Sequence, residues 1–145
     1  MVYHDSLDRV LLMGGKDLEQ TFADTWMWDG TEWIKLEVEG PGARSFHAMV
    51  YDSDRQRVIL FGGRNGDTLL NDLWSWNGGD WMRIAGSGPL RRGIHASAYD
   101  SIRQQLVIHG SGDRIDGNWA LESSTWTWNS ESGWVNETKE LSGDE

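Results

Sequence analysis

The sequence predicts an all-β fold made of three four-stranded antiparallel units, the first of them truncated. The pattern W-x-W, a short turn and a third W occurs three times and contains nine of the ten tryptophans. Other apolar and glycine positions recur in the same register, offset by 48 residues between the first two copies (Met1 to Met49, Val10 to Val58). Since no segment has the apolar spacing of an amphipathic helix, repeated β-structure is the fold class that fits.

Four strand-like segments, which we label A to D on the second copy, fill each repeat. Segment A, residues 45–51, alternates with the two-residue period of a strand. Residues 52–56 are polar and join it to segment B, residues 58–61. Segment B is a continuous apolar run, as in a strand buried on both faces. We expect the glycine pair that follows it at 62–63 to let the chain turn where a Cβ would clash.

Segments C and D carry the tryptophan pattern. In segment C, residues 73–76, both tryptophans share one face, because side chains two positions apart in a strand point the same way. Segment D, residues 81–84, alternates again. Asp29-Gly30 and Asn77-Gly78 join C to D in the first two copies and favour the positive φ of tight hairpins. The four segments therefore predict an up-and-down antiparallel sheet.

Four-stranded units that repeat about every 40–50 residues are the blades of β-propellers. The chain resembles a run of kelch repeats, of the kind found in bacterial and galactose-oxidase-like propellers, over residues 1–138. The matching positions are the apolar run with Gly-Gly at 14–15 and 62–63, the tryptophan that opens segment D, and the Arg-x-x-His motifs Arg44/His47 and Arg92/His95.

This resemblance implies kelch-type blades with approximate boundaries 1–43, 44–91 and 92–138, followed by a polar tail, 139–145, that we expect to fray. The first blade lacks most of its strand A because Met1 aligns with Met49. A propeller typically closes with about 4–8 blades, so three blades predict an open arc or half-propeller with two exposed apolar faces.

Three outcomes remain open for this arc. It is a piece of a longer propeller, a ring closed by more than one copy (two would give six blades), or a marginal open arc. We expect a fragment or half-propeller rather than a self-sufficient monomer. If the chain is complete, the expected partner is a second copy of itself; otherwise it is further blades.

Composition excludes several function classes. The net charge of −10 argues against nonspecific nucleic-acid binding, which needs clustered lysine and arginine. No stretch approaches the roughly 20 apolar residues of a membrane span, so we expect a soluble chain, cytoplasmic or exported. The chain has no cysteine and hence no thiol chemistry. Galactose-oxidase-like catalysis relies on copper and a cysteine-crosslinked tyrosine, so the resemblance does not extend to that activity.

Enzyme and metal-site motifs are missing from the sequence. There is no Gly-x-Ser-x-Gly elbow, phosphate loop or dinucleotide fingerprint, and no carboxylate pair stands out. His47 and His95, early in strand A, either line a central channel as ligands or make a repeated hydrogen bond to a neighbouring loop; their repetition favours the hydrogen bond. His4 and His109 add no metal-ligand spacing. We predict no catalytic residue, no metal and no cofactor.

The loops supply the candidate binding residues. The B–C and D–A loops share one end of an up-and-down blade, and variable loops on a rigid scaffold usually carry binding function. The predicted B–C loops span residues 16–25, 64–73 and 112–125, the third being longer by four residues. The candidates are Asp67, Asp113, Arg114, Asp116, Asn118 and Trp119, with Arg64 in support.

Nine tryptophans fit either packing between blades or stacking platforms for sugars and cations, and their strict repetition favours packing. Trp119, the tenth, lies outside the template and is the tryptophan expected to meet a partner. We therefore expect a noncatalytic module that binds a protein, with a glycan as the second ligand class. The alternatives are a portion of a kelch-fold enzyme whose catalytic residues lie in absent blades, and a self-assembling structural half-propeller.

Overall fold

The computed structural model describes residues 1–85, 88–89, 94–115 and 118–138, with residues 94, 111–115 and 118–122 described through their backbone alone. Within these ranges the chain forms three antiparallel sheets of four strands each, and in every sheet the strands follow one another in chain order. The all-β prediction is confirmed, apart from a single 3-10 turn at Asp5–Leu7. Three such sheets are consistent with the blades of a β-propeller.

The strands of each sheet correspond to segments A to D. Sheet 1 contains β1 (Val2–His4), β2 (Arg9–Met13), β3 (Thr25–Trp28) and β4 (Trp33–Leu36). Sheet 2 contains β5 (Ala48–Asp52), β6 (Arg57–Asn65), β7 (Thr68–Trp76) and β8 (Trp81–Ala85). Sheet 3 contains β9 (Ile94–Asp100), β10 (Gln105–Ile115), β11 (Asn118–Asn129) and β12 (Gly133–Asn136).

Phe46 and the glycine pair change the strand boundaries of sheet 2 from the predicted ones. Segment A was expected from residue 45, but β5 begins at Ala48 because Phe46 has a left-handed φ of 58° and interrupts the extended backbone. The glycine pair does not end the second strand. Gly62 and Gly63, with φ of 65° and 95°, form a bulge inside β6, where the register shifts between Phe61 and Gly63.

Most of the expected B–C loop residues belong to strands. In sheet 2, β6 runs to Asn65 and β7 starts at Thr68, so the loop is only two residues long. In sheet 3 the predicted loop over 112–125 is wrong, because residues 112–115 belong to β10 and residues 118–125 belong to β11. Strands β10 and β11 pair through Asp113↔Ala120 and Ile115↔Asn118, because the bulged strand continues instead of turning away.

The C–D turns use their glycines as predicted, but Asp29 and Asn77 act through their side chains. Gly30 and Gly78 have φ of 102° and 103°. The Asp29 carboxylate accepts the backbone N–H groups at positions 31 and 32, at 2.8 and 3.0 Å. Asn77 accepts those at 79 and 80 in the same way. Each turn is thus closed by an Asx side chain that replaces missing ladder bonds.

Two apolar clusters hold the three sheets together. We call the side of a sheet that bears its strand-C tryptophans the tryptophan face, and the other side the reverse face. The first cluster joins the reverse face of sheet 1 to the tryptophan face of sheet 2, and its fully buried members are Leu11, Met13, Val58, Leu60, Trp76 and Trp81. The second joins the reverse face of sheet 2 to the tryptophan face of sheet 3, through Val50, Ile59, Phe61, Leu73, Leu106, Ile108 and Trp128.

Candidate functional site

A cleft of about 350 Å³ opens where sheets 1 and 2 meet, on the side of the B–C connections. One wall is the loop between β2 and β3, and the other is the β6–β7 hairpin with Ser45 at its base. The lining residues are Lys16, Asp17, Leu18, Glu19, Gln20, Thr21, Ser45, Arg64, Gly66 and Asp67. Two of the predicted binding residues, Arg64 and Asp67, therefore lie in one cleft.

The loop of sheet 1 is held in shape by its own polar groups. Asp17 Oδ1 accepts the backbone N–H groups of Glu19 and Gln20, both at 2.8 Å. These bonds hold the pKa of Asp17 below its usual value, because they favour the ionised carboxylate. An isolated antiparallel bridge pairs Lys16 with Thr21. The side chains at the tip therefore project from a defined backbone rather than from an open coil.

Backbone bonds fasten this loop to sheet 2. The N–H of Gly15 donates to the carbonyl of Arg44 at 2.8 Å, and the N–H of Arg44 donates to the carbonyl of Phe22 at 3.1 Å. Gly14 has a φ of 65°, and a Cβ there would collide with the Arg44 carbonyl oxygen. The glycine pair at 14–15 thus allows the two sheets to approach where the cleft begins.

Arg44 anchors the base of the cleft. Its guanidinium is 2% exposed, makes two bonds to the Asp72 carboxylate at 2.8 and 3.0 Å, and donates to the Gly62 carbonyl at 3.0 Å. Asp72 also accepts the indole N–H of Trp74 at 2.7 Å. Burial raises the pKa of Asp72, but the bonds from Arg44 and Trp74 outweigh it and hold that pKa below its usual value.

The hairpin wall is organised by Arg64. Its backbone pairs with Ser45 through bonds of 2.9 and 2.8 Å, and its Nε donates to the carbonyl of Gly66 at 2.8 Å. Its Nη2 lies 3.3 Å from Asp67 Oδ1, and Asp67 itself is fully exposed. This arrangement places one cation and one carboxylate side by side at the rim of the cleft.

Phe46 is an exposed aromatic next to this cleft that the sequence analysis did not select. Its ring is 46% exposed, and the Lys16 ammonium lies 5.3 Å from the ring centroid, within the range of a cation–π contact. Leu18 lies on the loop between β2 and β3, which forms one wall of the cleft, and its side chain is fully exposed. The pattern hid Phe46 because alternation assigned it to a buried strand face, and its left-handed φ is not visible in the sequence.

His47 follows Phe46 in the chain and is partly buried. Desolvation lowers the pKa of His47 to about 4, helped by the positive charges of Arg44, the chain's amino terminus and His95, while a hydrogen bond with the Met13 backbone opposes the shift. The neutral imidazole of His47 thus contacts β2 of the neighbouring sheet. In the described part of the chain, no three His, Cys, Asp or Glu side chains are grouped to hold a metal ion.

The remaining predicted residues belong to the β10–β11 hairpin. Asp113 and Arg114 lie on β10, and Asn118 and Trp119 on β11, with Arg114 paired to Trp119 in the backbone register. Asp116 lies outside the described residues. The backbone thus brings four of the candidates together at the end of one hairpin, on a different sheet from the cleft.

A second cleft, of about 470 Å³, lies beside sheet 1, where the segment after β4 passes residues 23–25. Lys35 lies 3.3 Å from Asp24 at its edge, in an exposed ion pair of small energetic weight. The second cleft involves one sheet and contains none of the predicted binding residues. Among the described residues, no helix has the length and apolar character needed to cross a bilayer.

Comparisons with known proteins bear on the fold alone. No protein-family model matches the chain, and no curated protein does. Among solved structures, the chain is similar to YjhT, with a TM-score of 0.71 and 14% sequence identity. The match covers 94% of this chain and 50% of the other, so the chain spans about half the length of that structure.

Proposed function

We propose that the chain is a set of three kelch-type repeats, forming an open arc of a β-propeller, that acts as a noncatalytic protein-binding module. The 48-residue register supports the repeat assignment, and so does a shared backbone feature. The residue that closes each A–B turn has a left-handed φ in all three sheets: 52° at Asp8, 51° at Gln56 and 54° at Gln104. A rare backbone conformation at equivalent positions of all three sheets is expected when the sheets are copies of one structural repeat.

One observation carries the binding proposal: the cleft between sheets 1 and 2 has an exposed aromatic ring beside it, held in a strained backbone. A left-handed conformation is uncommon for a bulky residue, and such outliers cluster at binding sites. Phe46 and Leu18 supply apolar contacts. Lys16 lies over the Phe46 ring, and Arg64 is paired with Asp67. Apolar anchors surrounded by charges of both signs fit a short protein segment that carries an apolar side chain and complementary charges.

The experiment selects a ligand and then maps it. A random-peptide display library is selected against the immobilised chain, and the dissociation constant of the enriched peptide is measured by fluorescence anisotropy. We expect Phe46→Ala and Arg64→Gln each to raise this constant at least about tenfold, equivalent to about 1.4 kcal/mol. Met82→Ala is the matched control, since Met82 is 61% exposed on β8 of the same sheet, away from the cleft.

Two results would contradict this proposal. Either no peptide is enriched, or the enriched peptide binds both cleft variants as tightly as the unaltered chain. A glycan array run in parallel distinguishes the second ligand class. Binding to an immobilised sugar that Phe46→Ala abolishes would reassign the cleft from a protein segment to a glycan.

A further inference from the structure

The tryptophan face of sheet 1 repeats the apolar and aromatic side chains of that of sheet 2. Seven positions on the face of sheet 2 that contacts sheet 1 have identical equivalents one repeat earlier. The pairs are Met1 and Met49, Tyr3 and Tyr51, Val10 and Val58, Leu12 and Leu60, Trp26 and Trp74, Trp28 and Trp76, and Trp33 and Trp81. The same chemical surface thus occurs twice in the chain.

The two copies of this surface differ in burial. In sheet 2, Val58 and Leu60 are fully buried and Trp81 is 8% exposed, because sheet 1 covers them. In sheet 1, Trp33 is 42% and Tyr3 49% exposed. No other sheet of the described residues packs on this face of sheet 1, so it is an exposed apolar face of the kind that marks interaction sites.

The existing junctions show what such a face contacts. At both of them a tryptophan face meets a reverse face, and at neither do two tryptophan faces meet. Size explains this preference, since bulky indoles on one side fill the space left by smaller side chains on the other. The surface on sheet 1 therefore fits a reverse face. On the reverse face of sheet 3 no other described sheet packs, and the Glu137 carboxylate accepts a bond from Thr127 there at 3.3 Å.

Polar contacts at the junctions define the pairing further. A tyrosine at the same position of strand A reaches the preceding A–B turn in both. Tyr99 donates to Asp52 at 2.6 Å and to Asp54 at 2.9 Å, whereas Tyr51 accepts the backbone N–H of Ser6 at 3.3 Å. Tyr3 is the corresponding tyrosine of sheet 1, and its hydroxyl bonds to Asp8 of its own sheet.

A tryptophan–threonine bond adds a second polar contact. Trp81 Nε1 donates to the buried Thr25 Oγ1 at 3.0 Å across the first junction. At the second junction the threonine position is Leu73, and the indole nitrogen of Trp134 has no partner among the described residues. Trp33 is the equivalent donor on sheet 1, and it needs an acceptor placed as Thr25 is.

The reverse face of sheet 3 has both matching groups. Thr125 occupies the Thr25 position, and its hydroxyl, bonded to His109 at 2.9 Å, retains acceptor capacity for an indole N–H. Asp100, the equivalent of Asp52, is 22% exposed where Asp52 is 1% exposed. The apolar side chains there are small, since Ala98 and Val107 replace Val50 and Ile59.

We propose that the tryptophan face of sheet 1 binds the reverse face of sheet 3 of a second copy of this chain. In this junction Trp33 donates to Thr125 of the other copy, and Tyr3 donates to Asp100. The contact is heterologous, so two copies form a ring if the rotation closes after six sheets.

The first test measures association with paired variants. Sedimentation velocity over a range of concentrations should show a dimer of the unaltered chain. Trp33→Lys should weaken it at least about tenfold, since a charge replaces a buried ring and its hydrogen bond. Ile34→Lys is the control, because Ile34 is 43% exposed next to Trp33, points to the reverse face and adds the same charge. A monomer at every concentration, or equal weakening by both variants, would overturn the proposal.

The second test identifies the two faces and does not depend on Trp33→Lys folding. The chain has no cysteine, so Tyr3→Cys and Ile102→Cys introduce single thiols at exposed sites. Ile102 is the equivalent of Asp54, which Tyr99 contacts. A short bis-maleimide should cross-link a mixture of the two variants and neither variant alone. Cross-linking of Tyr3→Cys to itself, or no cross-linking of the mixture, would rule out this junction.

Discussion

Phe46 occupies a left-handed backbone conformation that costs a residue with a Cβ roughly 1–2 kcal/mol, and this cost can be measured. A protein with Gly inside a strand is normally less stable than the same protein with Ala there, by about 0.5–1 kcal/mol. At position 46 we expect the reverse order, with Phe46→Gly more stable than Phe46→Ala by about 1 kcal/mol, because both lose the ring and only Gly relieves the strain. Urea unfolding of the two variants measures the difference; a more stable Ala variant would contradict the strained backbone.

The Arg44–Asp72 pair predicts a large effect from a single substitution. Arg44→Ala leaves a mostly buried carboxylate without its partner, so we expect the free energy of unfolding to fall by about 3–5 kcal/mol. Arg44→Met combined with Asp72→Leu should be clearly more stable than Arg44→Ala, because it removes both charges. Chemical denaturation provides the values, and equal losses in both would show that the packing of Arg44, not its charge, dominates.

His47 predicts a loss of stability in mild acid. Its pKa is lowered to about 4 in the folded chain, so below the unfolded value near 6.5 the unfolded state takes up a proton that the folded state does not. Stability is therefore complete above pH 6.5 and decreases as pH falls towards 4, by about 1–3 kcal/mol in total.

Melting temperatures at pH 7.5 and 5 measure this effect, and His47→Gln should reduce the difference between them. Part of the difference should remain, because burial also lowers the pKa of His4. An unchanged difference in His47→Gln would assign the acid sensitivity to other groups.

At the scale of the strand, the bulge in β6 depends on Gly63. A Cβ there would lie 2.7 Å from the Ser45 carbonyl oxygen and 2.8 Å from the His47 Cβ. At Gly15, where φ is also positive, a Cβ meets nothing within 4 Å. Both alanine variants acquire backbone strain of about 1–2 kcal/mol, but Gly63→Ala also collides with neighbours. We expect its melting temperature to fall clearly further than that of Gly15→Ala, and equal losses would argue against close packing at the bulge.

The sequence predicts which segments form strands, because the tryptophan template and the apolar runs have strand periods. It does not predict how long each strand is. The glycine pair was interpreted as a turn, yet a bulge uses the same positive φ and lets β6 continue to Asn65. Phe46 was missed for a related reason, since alternation describes side-chain faces and carries no information on a single left-handed residue. Arg64 and Asp67 are predictable because they lie in the B–C connection of the second repeat, and loops on a rigid scaffold usually carry binding function.

At the scale of the molecule, the 48-residue register predicted which faces pack. It placed the tryptophans between sheets, and Trp76, Trp81 and Trp128 are buried there. In sheet 1 the same prediction is not met, because Trp33 lies on a face that no described residue covers. Periodicity identifies a surface built for burial, whereas the partner that buries it is a property of the assembly.

The difference between Trp33 and Trp81 has a spectroscopic consequence. Two indoles at equivalent positions of the repeat, one partly exposed to water and one in an apolar contact, emit at different wavelengths and are unequally accessible to a soluble quencher. If sheet 1 becomes covered, its tryptophans should shift their emission to the blue and resist acrylamide. The repeated residue that builds the sheets would then report, without any label, when the last exposed face is occupied.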